Sequence, residues 1–360
     1  MQNETSEKLK VAIVATSMRV IGGQSIQANR LLDAFANNEN IGLSFIPNNP
    51  ETIFQNVKIL RTIFTSLKFW WLLIVNLPKV DIVQVFSSAT TGYIISTLPP
   101  LFFAKLFRKK IILNYHSGEL EEHIKRWKHT ALPTMRKFDK IIVPSQFLVD
   151  VFAKYGLESE AIFNFVDSSK FEFKKREIFR PAFFSNRNFE EHYNVSDILK
   201  AFQIIQRKFP NASLIIAGFG TEEAKLKEFA KTLNLANVDF IGKIDNEKMP
   251  EVYQKADIYL NASVVDNMPL SFIEAFACGL PTVSYATGGI PYIVENGKSG
   301  ILVEQNDFEN LANEAIKLLE NQQFAIELTL NARKELEKYS WENVKEAWEI
   351  AYRNQGKSKK

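Results

Sequence analysis

The chain reads as an α/β protein of two doubly wound, parallel-sheet domains, and three observations predict it. Short apolar runs alternate with longer amphipathic segments, the order that lays crossover helices over a parallel sheet. The runs LKVAIVA (9–15), DIVQVF (81–86), KIILNY (110–115) and DKIIVPS (139–145) are apolar without clean alternation, as in strands buried on both faces. The pattern then stops over 165–180 and starts again, which a chain of 360 residues has the length to support.

The elements follow in order. In the first half, SIQANRLLDAF (25–35) and QFLVDVFAKYG (146–156) have helical spacing, the latter stopped by Gly156. FNFVDSSKFEFKKREIFRP (163–181) is polar, basic and aperiodic, and reads as a linker. Strands are then expected at PAFFSN (181–186), ASLIIAG (212–218), VDFIG (238–242), DIYLN (257–261) and PTVSY (281–285). Helices separate them at 197–209, 224–234 and 270–278, with another opened by Gly288-Gly289 over IPYIVENG. A terminal helix pair is placed at roughly 323–338 and 341–354. The expected boundaries are a first domain over 1–165, a second over 166–340, and a C-terminal helix over 341–360 that packs back toward the first. Such a pair of domains implies a central cleft lined by the carboxyl ends of strands. The first ten residues are polar and expected to fray.

Charge is uneven. The net value is +3, but residues 1–165 carry 19 Lys and Arg against 13 Asp and Glu. KLFRKK (105–110), IKRWK (124–128) and MRKFDK (135–140) hold much of the excess, which suits an anionic membrane surface, a phosphorylated substrate, or a solvated face. Cys278 is the single cysteine, so no internal disulfide exists; with no leader-like pattern, a cytoplasmic setting is expected. FWWLLIVNL (69–77) is too short to span a bilayer. The uncharged stretch 82–104 reads as strand, polar turn and a helix interrupted near Pro99. A surface helix dipping Trp70, Trp71, Phe102 or Phe103 into a bilayer fits these residues better than a span.

Residues 266–281, DNMPLSFIEAFACGLP, carry the chemistry. Pro269 suits the start of a helix, where a missing N–H costs nothing, and Gly279 and Pro281 end it. The helix is apolar nearly all round and therefore buried. Its first N–H groups, at 270–272, form an anion site. Glu274, one turn deeper, is an acceptor-only group suited to a vicinal diol such as a ribose. Phosphate at the helix start and ribose on the carboxylate describe a nucleotide. Arg187, at the end of PAFFSN, offers a bidentate phosphate contact. Gly288-Gly289 lets backbone approach a ligand, and IIAGFGTEE ends a strand in two glycines. As plain alternatives, Glu274 is a salt-bridged helix acid, Asp266 caps the helix or its turn, and Cys278 is a small core residue. Metal binding is disfavoured: no Asp-x-Asp occurs, and His116, His123, His129 and His192 lack ligand spacing.

These residues resemble a known family, the retaining glycosyltransferases of family 4, which have the GT-B fold. The likeness runs over nearly the whole chain and is strongest over ADIYLNASVVDNMPLSFIEAFACGLPTVSYATGGIPYIVENGKSGILV (256–303). The family's E-x7-E pattern falls on Asp266 and Glu274, with Asp in place of the first Glu. The resemblance implies that Glu274 holds the donor ribose, that Asp266 lies near sugar and diphosphate, and that Arg187 contacts the diphosphate. Met268, Leu270, Ser271, Gly218 and Gly242 fall in its donor-binding segments. RVIGGQSIQANRL (19–31) resembles its glycine loop, with Gly22 and Gly23 near diphosphate and acceptor. YHSGE places His116 where the family has a histidine contacting the donor sugar. The family's lysine after the arginine falls on His192 or Tyr193, so the second cation is absent or pH-dependent.

The implied activity is transfer of a hexose from a nucleotide diphosphate sugar, UDP favoured, to a glycan or lipid-linked hydroxyl. It proceeds with retention, without metal or further cofactor, and in cell-surface polysaccharide or lipopolysaccharide synthesis. Contact with nucleic acid is not expected; peripheral contact with the inner face of an anionic membrane is. Two alternatives stay open, a nucleotide-sugar-binding pseudo-enzyme and an epimerase on the same fold. A nicotinamide dehydrogenase is disfavoured because neither half carries a full GxGxxG fingerprint.

Overall fold

In the computed structural model, residues 8–20, 22–52 and 58–356 are described. They divide into two compact units, one built from the chain up to Asn164 together with the segment from Trp341, the other from Phe165–Ser340.

The first unit runs β1 (Leu9–Ala15), α1 (Gly23–Phe35), β2 (Ile41–Pro47), α2 (Lys58–Asn76), β3 (Ile82–Ser87), α3 (Thr90–Leu106) and β4 (Lys110–Tyr115). It continues with α4 (Leu120–Arg126), α5 (Lys128–Met135), β5 (Lys140–Val143), α6 (Gln146–Lys154) and the short β6 (Glu160–Ala161). All six strands are parallel, in the order β2-β1-β3-β4-β5-β6. Val11–Ala15 and Ile82–Val85 have no exposed surface at all, which is why these strands lack alternation. Ser145 caps α6 by accepting from the Leu148 N–H (3.3 Å), and Gly156 at φ +66° follows its end.

The second unit runs β7 (Ala182–Asn186), α7 (Val195–Lys208), β8 (Ser213–Ala217), α8 (Glu223–Thr232), β9 (Val238–Gly242), α9 (Met249–Lys255) and β10 (Ile258–Asn261). Then come α10 (Leu270–Ala277), β11 (Thr282–Tyr285), β12 (Ile301–Val303), α11 (Phe308–Glu320) and α12 (Gln322–Glu335). Its six strands are again parallel, in the order β12-β11-β10-β7-β8-β9. The last helix, α13 (Trp341–Gly356), belongs to the first unit. There the Tyr352 hydroxyl donates to Gln84 on β3, Trp341 packs edge-on to Phe35 (5.2 Å), and Asn38 donates to Glu349 (3.0 Å).

Four expectations need correction. Fraying of residues 1–10 fails at Leu9 and Lys10, which open β1; residues 1–7 lie outside the described residues. No break occurs near Pro99: α3 is continuous through Pro99 and Pro100, held by burial of Tyr93, Thr97, Pro100, Leu101 and Ala104. Residues 69–76 of the stretch read as 69–77 belong to a 19-residue helix, α2, and Ile59–Lys79 is long and apolar enough by length and composition to cross a membrane. IPYIVENG makes only a 3-10 turn at Ile290–Tyr292 before a bridge between Asn296 and Gly300 feeds β12. Pro291 occupies the first turn and the segment is too short to repay helix nucleation.

The stretch read as a linker is strapped to the second unit. Arg176 is buried; it pairs with Asp257 (2.8 Å) and donates to the carbonyls of Ala256 (2.7 Å), Cys278 (2.8 Å) and Gly279 (3.0 Å). Arg180 takes the second Asp257 oxygen (2.7 Å). Burial opposes ionisation of Asp257, but the bonds from Arg180 and Arg176 hold its pKa below the ordinary value.

Candidate active site

In each sheet one position marks where strand order reverses, between β1 and β3 and between β7 and β10. Open α/β sheets bind ligands at the carboxyl ends of such strands, and the expected residues gather there.

In the second unit Arg187 follows β7, and the loop carrying Asp266 follows β10. The guanidinium pairs with Asp266, donates to Asn261 Oδ1 (3.3 Å) and lies over the Tyr193 ring, 5.2 Å from its centroid. Asn261 is itself fixed by Ser263 Oγ (2.7 Å) and by its own bond to Ser284 Oγ (3.2 Å). Burial disfavours charge on Arg187, yet the Asp266 carboxylate outweighs it and raises the pKa, so the cation persists. Burial lifts the Asp266 carboxyl above its usual range while Arg187 pulls it down. Asp266 does not cap α10 directly; its Oδ1 accepts from the Asn267 N–H (3.0 Å).

The glycine pair 288–289 packs tightly against the protein's own backbone. A Cβ on Gly288 would meet the Asp266 carbonyl at 2.1 Å, and one on Gly289 the Asn267 carbonyl at 1.9 Å. Gly289 also donates to the Asp266 carbonyl (3.2 Å), so the pair presses the Asp266 loop into place. Gly218 acts similarly: its Cβ would stand 2.0 Å from the Arg187 carbonyl, and its N–H donates to Gly242 (2.9 Å). Gly242, at φ +69°, has open space where a side chain would go.

Helix α10 begins after Pro269 and ends at Gly279 (φ +69°), whose N–H returns to Phe276 (3.1 Å). The N–H of Phe272 bonds back to Pro269 (3.3 Å), so of the three groups expected as an anion site, Leu270 and Ser271 are the ones left by helix geometry. Met268 is buried. Glu274 is half-buried and accepts from the Tyr253 hydroxyl (3.1 Å), which also faces the Ser271 carbonyl (3.1 Å) and accepts from Asn186 (3.0 Å). Cys278 is a buried core thiol whose pKa burial pushes up to about 12.

In the first unit, the carbonyl of Ser87, ending β3, accepts from the Gln24 side chain (3.2 Å) and from the His116 N–H (3.1 Å). That one oxygen joins the glycine loop to the end of β4. Gly22 and Gly23 have open space around the missing Cβ. His116 stacks on Phe86 (5.1 Å), and desolvation lowers its pKa to about 3, so it is neutral at physiological pH. Among the described residues no three His, Cys, Asp or Glu side chains gather as a metal ligand set.

Tyr253 and Asn261 were not singled out from sequence, and Tyr193 was noted only for its place after Arg187. Asn261 carried a signal, a polar residue closing a buried strand. The Tyr193 ring lies under the Arg187 guanidinium, a cation–π contact at 5.2 Å.

Comparison with known proteins bears on this site. Residues 168–338 match the family described as "Glycosyl transferases group 1". An uncharacterized glycosyltransferase of Haemophilus influenzae is 33% identical over 153 residues, 42% of this chain and 43% of that protein. The alpha-monoglucosyldiacylglycerol synthase of Acholeplasma laidlawii is 26% identical over 64% of this chain and 59% of its own length. The chain thus spans less than two thirds of either relative. Among solved structures, Anabaena HepE in complex with UDP superposes with a TM-score of 0.76, covering 96% of this chain and all of that one at 15% identity. The fold is GT-B.

Proposed function

We propose that the chain is a retaining glycosyltransferase that moves a hexose from a nucleotide diphosphate sugar, UDP favoured, to a hydroxyl of a glycan or lipid-linked acceptor. The observation that carries it is the grouping of Arg187, Asp266 and the start of α10 at the strand-order reversal of the unit matching the glycosyl transferases. In this reading Arg187, Leu270 and Ser271 hold the diphosphate, Glu274 the ribose, and Asp266 lies beside the sugar. Gly218 and Gly242 border the nucleoside, while Gly22, Gly23 and His116 are the first unit's own candidates. The bond from the anomeric carbon to the diphosphate breaks and the acceptor oxygen attacks the same face. The acceptor proton passes to the departing phosphate oxygen, and Arg187 steadies the developing charge. The UDP bound by HepE and the monoglucosyldiacylglycerol product named for the Acholeplasma relative support the donor and acceptor classes. The domain reading goes with it: donor in 166–340, acceptor in 1–165, and the helix from 341 completing the first.

The test is release of nucleotide diphosphate from UDP-, GDP- and ADP-hexoses with oligosaccharide and glycolipid acceptors, with and without EDTA. Acceptor-dependent release from one nucleotide class, unaffected by EDTA and with the donor's anomeric coupling retained in the product, is expected. Donor binding with neither transfer nor hydrolysis would favour a binding-only protein, a reading that Tyr193 in the lysine region motivates. Sugar interconversion without acceptor would favour the epimerase.

A further inference from the structure

Helix α2 is amphipathic in the wrong sense for a surface helix. Phe69, Leu73 and Leu77, one turn apart, are buried in the first unit's core. The adjacent outward stripe, Ile63, Leu67, Trp70 and Ile74, is also apolar, each of these residues being 45% to 54% exposed, and Trp71, farther from the core, is 57% exposed. A globular helix ordinarily turns charge to solvent there. The neighbouring helix repeats the anomaly, with Ile95, Phe102 and Leu106 on one outward stripe and Phe102 63% exposed. β2 to β3 and β3 to β4 both cross in the same direction, so right-handed connections put α2 and α3 side by side on one sheet face. Leu72, Leu98 and Phe103 pack together on the core beneath them.

Charge identifies what covers this face. Between residues 52 and 118 there are eight Lys and Arg but a single acid, Asp81. Asp81 is engaged, accepting from the Lys10 N–H (3.0 Å). Neither α2 nor α3 contains a carboxylate. Lys109 bonds the Pro78 carbonyl (2.9 Å), tying the end of α3 to the turn after α2, with Lys79 and Arg108 next to these two residues in sequence as a basic border; Lys105 and Lys110 are paired with Asp139. We propose that the outward face of α2 and α3 docks on an anionic lipid bilayer, the helices lying in the interfacial plane with Trp70, Trp71 and Phe102 in the acyl boundary and the basic border on the headgroups. A spanning α2 is disfavoured because it would withdraw Phe69, Leu73 and Leu77 from the core. A second copy seated on the same face would oppose two basic borders. The start of α3 directly follows Ser87, which holds the glycine loop and His116. A bilayer on this face therefore reaches the border of that site and would present a lipid-linked acceptor to it, a consequence that rests on the transferase reading; the docking itself does not.

The experiment is flotation of the full chain with phosphatidylcholine vesicles and with vesicles containing 30% phosphatidylglycerol, at low and high salt. Binding to the anionic vesicles only, weakened by salt, is expected. The double variant Trp70→Glu, Trp71→Glu should lower the bound fraction at least about tenfold while keeping the wild-type thermal transition and nucleotide binding. As a check independent of that variant's folding, brominated lipid should quench wild-type tryptophan emission, and Trp70→Phe, Trp71→Phe should lose most of that quenching. Absence of flotation, equal flotation of the Glu variant, or a concentration-dependent dimer abolished by that variant would overturn the proposal. Nucleotide binding, read on the same samples, reports separately on the transferase reading.

Discussion

Replacing Arg176 with Ala should be among the most destabilising single changes in the second unit. The side chain is 2% exposed and meets a carboxylate that is 1% exposed. It also supplies donors to four carbonyls, two of which, Cys278 and Gly279, close the end of α10. Removing it leaves Asp257 buried with Arg180 alone, whose side chain is 60% exposed and well hydrated. Breaking a buried pair from one side costs about 3–5 kcal/mol. For a unit of this size that corresponds to a fall in Tm of about 10 °C. Arg180→Ala, by contrast, removes an exposed cation and should cost about 1 kcal/mol or less. The assay is thermal unfolding followed by circular dichroism, with both variants beside the wild type. Asp257 also sets a pH signature. Its folded pKa is depressed, so its contribution is present above the unfolded value, about 3.9, and is lost as pH falls through the folded one. Arg176→Ala should therefore flatten part of the acid limb of stability. Equal Tm values for Arg176→Ala and Arg180→Ala would refute the strap.

Arg187→Ala should cost about 2–4 kcal/mol of transition-state stabilisation, read as kcat/KM for donor, and Arg187→Lys should restore only part because the planar fork is lost. Tyr253→Phe keeps the ring against Phe184 (4.9 Å) but removes the hydroxyl on Glu274; donor Kd should rise by about tenfold with little change in Tm. Gly289→Ala should weaken donor binding, because its Cβ at 1.9 Å from the Asn267 carbonyl displaces the Asp266 loop; calorimetry with nucleotide reads this. His116, lowered to about 3, stays neutral from pH 5 upward, so an acid limb in kcat between pH 5 and 7 should survive His116→Asn unshifted.

The strands were legible because burial on both faces writes itself as uninterrupted Val, Ile and Leu, and nine of the twelve were read from such runs; β12, three residues long, was missed. β2 was not legible, since IGLSFIP is half-exposed along its length, and β6 is only two residues. The site was legible where charge sits against an apolar background, as at Glu274 and Arg187. It was illegible where position depends on partners distant in sequence. Nothing local marks Tyr253 as the residue that holds Glu274, or Arg176 as a buried cation within a basic stretch. The packing of Gly288-Gly289 was illegible for the same reason, because its partner is the backbone of a loop over twenty residues earlier.

The central claim is that Glu274 stands in α10 to hold a nucleotide's ribose, and it is tested most directly by titrating UDP-, GDP- and ADP-sugars into the wild type and Glu274→Ala. The account predicts saturable binding of one nucleotide class, UDP first, weakened at least about tenfold in the variant, as expected for losing a charged hydrogen-bond acceptor. Equal binding by both proteins, or binding by neither, would contradict it.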